Sequence, residues 1–192
     1  MKRQPIVSWA ETRRLVKLDL DAYSVWLPRM RPTWPTWARL LYTAMMTQTF
    51  AANLVYRLQI FLDGVGLTLP AFLLMRMSQT LFSVSIGSTV RIGGGLHLAH
   101  GQIVLDGVTT IGSNVSISPF VLVGLSNRAE LIFELTGPTI GDDVHIGAGA
   151  VVIGPIRVGD RAKIGANSVV VKDVPDDHVA VGVPAKTHRR RL

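Results

Sequence analysis

The chain has 192 residues, a net charge of +7 and no cysteine, which points to one domain with a small appendage and excludes disulfides and thiolate metal sites. No apolar core with a small-residue cleavage site follows the charged start, and the most apolar segment, 67–82, is too short and too interrupted by Pro70 and Arg76 to span a bilayer. The expectation is a cytoplasmic protein, with a peripheral membrane contact through 67–82 compatible with the composition.

Residues 1–83 read as a helical N-terminal region. They hold ten Lys or Arg against four Asp or Glu, and all four tryptophans (Trp9, Trp26, Trp34, Trp37). The spacing predicts a helix over 8–25, with Ser8 as N-cap and Glu11 three residues on as a capping box. Leu15, Leu18 and Ala22 form its apolar face. "LPRMRPTWP" (27–35) reads as a linker. A strongly apolar helix is predicted over 36–62 and another over 68–82, after the Gly64/Gly66 break. Helices this apolar need a surface to pack on.

From Val84 the helical period gives way to a hexapeptide repeat. An aliphatic residue recurs at Ile86, Ile92, Leu98 and Val104, then after one extra residue at Ile111, Ile117 and Val123. After a longer gap it resumes at Ile140, Ile146, Val152, Val158, Ile164 and Val170. A small residue usually follows each of these, and a small or branched one stands four positions on. The pattern is that of a solenoid: short strands point a branched side chain inward, small residues turn the corners, and three units close a triangular coil. The predicted organisation is therefore mainly β. A coil region spans 84–171 with an extruded loop at 124–139, and a C-terminal segment with a basic tail spans 172–192. Gly93–Gly95 resemble a phosphate loop, but strand repeats rather than a helix follow them, so that reading is rejected.

"IGGGLHLAHGQIVLDGVTTIGSNVSIS" (92–118), "TIGDDVHIGAGAVVIGPIRVGDRAKIGANSVVVKDVP" (139–175) and "VGVPAK" (181–186) resemble the hexapeptide-repeat acyltransferases, above all serine acetyltransferases and polysaccharide-cluster O-acetyltransferases. The resemblance covers roughly residues 53–186, beginning at "NLVYRL" (53–58). It implies a left-handed parallel β-helix, a homotrimer or dimer of trimers, and direct transfer of acetyl from acetyl-CoA to a hydroxyl. No permanently bound cofactor is implied, only acetyl-CoA as cosubstrate. The acceptor is a hydroxyl-bearing small molecule or sugar. The alternatives are L-serine O-acetylation in cysteine biosynthesis and a non-catalytic scaffold.

His100 stands two residues past Leu98, at a coil corner, and matches the family's catalytic histidine. An imidazole titrates near about 6.5, so it can take a hydroxyl's proton at neutral pH and return one to the leaving thiolate. His97 reads as a surface or pocket-lining residue. No Cys or carboxylate accompanies the His-x-x-His pair, so no metal site is assigned, and a γ-carbonic anhydrase lacks its three zinc histidines here. Two positions depart from the serine acetyltransferase pattern. Ala99 replaces the aspartate before the histidine, and Thr136–Gly137 replace an Arg-His pair. Asp19 and Asp21 are the candidates for a further upstream aspartate. The resemblance places coenzyme A against Gly124, Ala148 and Ala166, with Lys186 and Arg189–Arg191 toward its phosphates. Arg128, Glu130 and Glu134 are the loop's candidates for acceptor contacts, acting on a neighbouring subunit's His100 because the loop and His100 occupy different corners about 20 Å apart. Nucleic acid is not an expected partner, since no aromatic-basic strip accompanies the repeats.

Overall fold

The computed structural model describes residues 8–27, 33–125 and 136–189. Four helices precede a parallel β-helix. α1 (Trp9–Ser24) starts at Ser8, whose hydroxyl accepts the Glu11 amide at 3.2 Å, while the Glu11 carboxylate turns to Arg14 at 2.7 Å. The expected apolar face of α1 is displaced. Thr12, Asp19, Leu20 and Tyr23 are the buried residues, and Leu18 is exposed. Periodicity missed this face because two of its members are polar and hydrogen-bonded in place.

The single helix expected over 36–62 is two, α2 (Thr36–Met46) and α3 (Gln48–Gly64). Thr47 takes extended backbone between them, and its hydroxyl donates back to the Thr43 carbonyl at 2.8 Å. A β-branched residue satisfied by its own preceding turn is a natural stop. α4 (Thr68–Phe82) lies where expected and ends at Ser83, which adopts the left-handed conformation (φ +54°).

Three parallel faces then wind together as the left-handed β-helix. Face A stacks β1 (Val84–Ile86), β4 (Ile103–Leu105), β7 (Leu122–Gly124), β10 (Val151–Ile153) and β13 (Val169–Val170). Face B stacks β2 (Arg91–Ile92), β5 (Val108–Ile111), β8 (Thr136–Ile140) and β11 (Arg157–Val158). Face C stacks β3 (His97–Leu98), β6 (Ser116–Ile117), β9 (His145–Ile146), β12 (Lys163–Ile164) and β14 (His178–Gly182), and β15 (Ala185–Arg189) folds back antiparallel on β14. The repeat's aliphatics fill the interior. Leu98, Ile117, Ile146 and Ile164 form one column, almost fully buried. Each such side chain contributes about 1.5–3 kcal/mol.

One position of the repeat is corrected. Val104 points outward, and its neighbours Ile103 and Leu105 point in. The extra residue therefore lies before the strand, between Leu98 and Ile103, not between Val104 and Ile111. The loop is also shorter than expected. Gly124 ends β7, and Thr136–Thr139 are already strand β8.

The helices close the first coil. A first coil leaves backbone groups with no strand before them, and each needs a partner. Asn53 donates to the Leu96 carbonyl, Thr49 and Tyr23 to that of Leu98, Tyr56 to Val90, Gln59 to Ile86 and Ser78 to Val84. Arg57 donates to the carbonyls of Ile92 and Gly93 and pairs with Asp19 at 2.9 Å, both side chains buried. Asp19 in turn accepts the amides of Gly95 and Leu96, each at 2.9 Å. Its charge is thus fully met within the protein, as a buried carboxylate requires.

Candidate active site

His100 stands at the corner between faces C and A, and the displaced insertion explains its prominence. Leu98 pairs with Ile117 and Val104 with Leu122. Between those pairs the first coil fits one residue more than the second. Gln102 and Phe120 share the same left-handed backbone (φ +64° each), so His100 and Gly101 together occupy the place of Pro119 alone. The bulge leaves His100 exposed while Gly101 is buried.

Both flanks of the bulge are fixed. On one side Tyr23 both accepts the Leu98 amide and donates to the Leu98 carbonyl (3.1 and 3.0 Å), and Thr49 adds a second donor at 2.8 Å. Burial pushes the Tyr23 phenol well above its ordinary range, so it stays a neutral donor. On the other side the amides of Gln102 and Ile103 both reach the Ser83 carbonyl, at 2.6 and 3.2 Å. A Cβ on Gly101 would stand 2.5 Å from the Phe82 carbonyl oxygen, so only glycine lets the corner sit this close to the end of α4. Among the described residues no side chain hydrogen-bonds the His100 ring. With Ala99 beside it, the ring is placed by its backbone alone.

The other imidazoles differ in kind. His97, expected as a surface or pocket-lining residue, is half-buried. It stacks on Trp26 (5.2 Å between centroids, 16°), meets Tyr23 edge-on at 4.8 Å, and has Ser116 Oγ 3.2 Å from Nδ1. Burial first, then the neighbouring His100 and His145, hold its pKa below the ordinary imidazole value of 6.5. His145 stands on the outer side of face C, and its pKa is lowered by burial and then by Lys163. Among the described residues no three His, Asp or Glu converge as a metal-binding group.

The expected coenzyme contacts divide. Ala148 and Ala166 follow Ile146 and Ile164 in face C, which places them at the His100 corner two and three coils further on. At about 4.8 Å per coil they continue one line from the imidazole. The β14–β15 turn, with Lys186 paired opposite Val181, stands at the far end of that line. Gly124 does not join it. It is buried at the corner between faces A and B, where the chain leaves for the loop. Arg128, Glu130, Glu134, Arg190 and Arg191 lie outside the described residues, and Arg189 ends β15. Asp19 is the buried partner of Arg57, and exposed Asp21 pairs with Arg39 at 2.7 Å. Gly137 is buried in β8, where a Cβ would collide with the Thr109 hydroxyl. The position that carries a histidine in the resembled pattern has no room for one here.

A groove of about 850 Å³ lies among α1, α2 and α3, lined by Trp9, Arg13, Trp37, Leu40 and Leu54. It shares no residue with the His100 corner.

The family model described as bacterial transferase hexapeptide (six repeats) matches residues 137–172. The serine acetyltransferase of Helicobacter pylori is 39% identical over 137 residues, covering 71% of this chain and 78% of that protein. That of Buchnera aphidicola is 42% identical over 140 residues, and the match covers 50% of its length. The chain thus spans about half to three quarters of these relatives. Among solved structures, the Neisseria gonorrhoeae serine acetyltransferase superposes with a TM-score of 0.81 at 34% identity, over 95% of this chain and 67% of that one. A serine acetyltransferase in complex with CoA superposes with a TM-score of 0.76 at 29% identity, over 94% and 70%.

Proposed function

The chain belongs to the hexapeptide-repeat acyltransferases, among the relatives of serine acetyltransferase, and from that premise we propose that it transfers acetyl from acetyl-CoA to the hydroxyl of L-serine. The observation that carries this reading is the His100 bulge: an exposed imidazole on a rigid corner, at the head of a line of small residues leading to Lys186. The chemistry is direct. As the hydroxyl oxygen attacks the thioester carbonyl, His100 takes its proton. The tetrahedral intermediate then expels the coenzyme thiolate, which takes that proton back. The products are the O-acetyl ester and free CoA, and no covalent enzyme intermediate is needed.

The small residues along this corner leave room for the pantetheine arm to lie against the backbone, with Lys186 toward its phosphates. The loop from the corner between faces A and B, with Arg128 and Glu134, supplies acceptor contacts to the neighbouring subunit's His100 in a homotrimer. With no side-chain hydrogen bond to its ring among the described residues, His100 is oriented by groups brought in by the neighbour and by the bound substrates.

A second acceptor class, a sugar or another alcohol, is favoured by one observation. Ala99 and Gly137 stand where the serine acetyltransferase pattern has an aspartate and a histidine, and Thr109 blocks a larger residue at 137. One experiment separates the readings: acetyl-CoA thiol release measured over L-serine and a panel of sugars and alcohols, for the wild type and His100→Ala. Serine-dependent release that falls by about 10²–10⁴-fold in the variant is expected. Equal turnover in both proteins removes His100 from the chemistry, and release with a sugar but not with serine reassigns the acceptor.

A further inference from the structure

The groove among α1, α2 and α3 has no part in the proposed reaction, yet two of the four tryptophans stand at it. Trp9 and Trp37 both line it, and both are more than half exposed, at 53% and 70%. Leu40, Leu54 and Leu58 line it as well. The three helices thus leave a concave apolar surface between them, and such a surface marks a contact. Its volume of about 850 Å³ lies within the range of small-molecule sites.

The charge within the groove narrows the occupant. Arg13 and Lys17, one turn apart on α1, both line it, and no carboxylate does. The neighbouring arginines are each answered: Arg14 by Glu11, Arg39 by Asp21 and Arg57 by Asp19. Among the described residues neither Arg13 nor Lys17 has an acidic partner. Like charges four positions apart on a helix repel, and an anion between them relieves the repulsion. One carboxylate suits the pair, with an oxygen for each cation. The occupant that meets both features is apolar along its length and anionic at one end. The apolar helix face that this chain itself exposes, on α4 through Leu69, Phe72 and Leu73, carries Arg76 and no acid. Another copy therefore does not supply that combination through α4, whatever symmetry relates the two.

We propose that this groove binds a fatty carboxylate, with its tail among Trp9, Trp37 and the three leucines and its head at Arg13 and Lys17. The proposal is independent of the acetyl-transfer reading, since the groove shares no residue with the His100 corner. The test is isothermal titration of the full chain with sodium decanoate, kept below its micelle concentration, and with 1-decanol, which has the same tail length and no charge. Decanoate is expected to bind saturably, and decanol at least about tenfold more weakly. The double variant Arg13→Gln/Lys17→Gln is expected to bind decanoate only as well as decanol, with its circular dichroism unchanged. Wild-type protein that takes up no decanoate saturably overturns the proposal. So does equal affinity for the two compounds, or a folded double variant that binds decanoate as the wild type does. A double variant whose oligomeric state changes, beside a wild type that ignores decanoate, assigns the groove to another copy instead. Should the double variant misfold, a salt series on the wild type takes its place. Decanoate affinity that falls with rising salt while that of decanol holds supports the proposal, and salt-independent decanoate binding overturns it.

Discussion

Two imidazoles three positions apart meet opposite fates. Among the described residues no side chain hydrogen-bonds the His100 ring, whereas the His97 ring packs against Tyr23 and Trp26. The difference has a pH signature. The His97 pKa in the folded chain lies below its unfolded value of 6.5, chiefly through burial. Its contribution to stability is therefore present above about pH 6.5 and lost as the pH falls through that value and through the folded pKa. His97→Phe keeps the ring contacts and removes the titration. Between about pH 7 and about pH 5 its Tm should fall less than that of the wild type in thermal unfolding. Parallel losses in the two proteins would show that His97 carries no such linkage. The position proposed for the base is marked in the sequence because the resembled motif ends on His100. The packing of His97 is not, because Tyr23 and Trp26 come from the end of α1 and the turn after it, more than seventy residues earlier.

At the scale of the element, the corner that presents His100 is a repeat with one residue too many. Sequence spacing revealed an extra residue and put it on the wrong side of Val104. In "IVL" (103–105) all three residues are apolar, and alternation alone does not say which two point inward. The tie is broken by Ser83, whose carbonyl holds the Gln102 and Ile103 amides and so fixes the phase of β4. This joint also makes Gly101 sensitive. Gly101→Ala forces a Cβ against the Phe82 carbonyl, and the corner must shift to admit it. Turnover should fall by about 10²-fold through displacement of the neighbouring imidazole, with a stability loss of about 1–3 kcal/mol. Unchanged kcat alongside a lowered Tm would separate the corner's fit from catalysis. The helix break at Thr47 escaped the sequence for a related reason: both flanks are apolar, so the pattern runs through an interruption made by backbone and hydroxyl.

For the whole molecule, the repeat announced the β-helix and the residues that fill it, because a hexapeptide period leaves few other folds. What stayed hidden was how the two halves join. "NLVYRL" marked the resemblance, yet its Asn53, Tyr56 and Arg57 are side chains that bind the first coil. Loop and imidazole occupy different corners, so the proposed reaction belongs to an assembly. Specific activity should fall on dilution in step with loss of trimer, followed by sedimentation velocity. A monomer fraction with full turnover would place the whole site in one chain. The closure of the first coil has a consequence for the solenoid as a material. Its starting rim is answered by side chains, and its far rim ends in the antiparallel β14–β15 hairpin. Strand addition at the start is therefore opposed by side chains, while at the far end the hairpin covers face C and faces A and B end on β13 and β11.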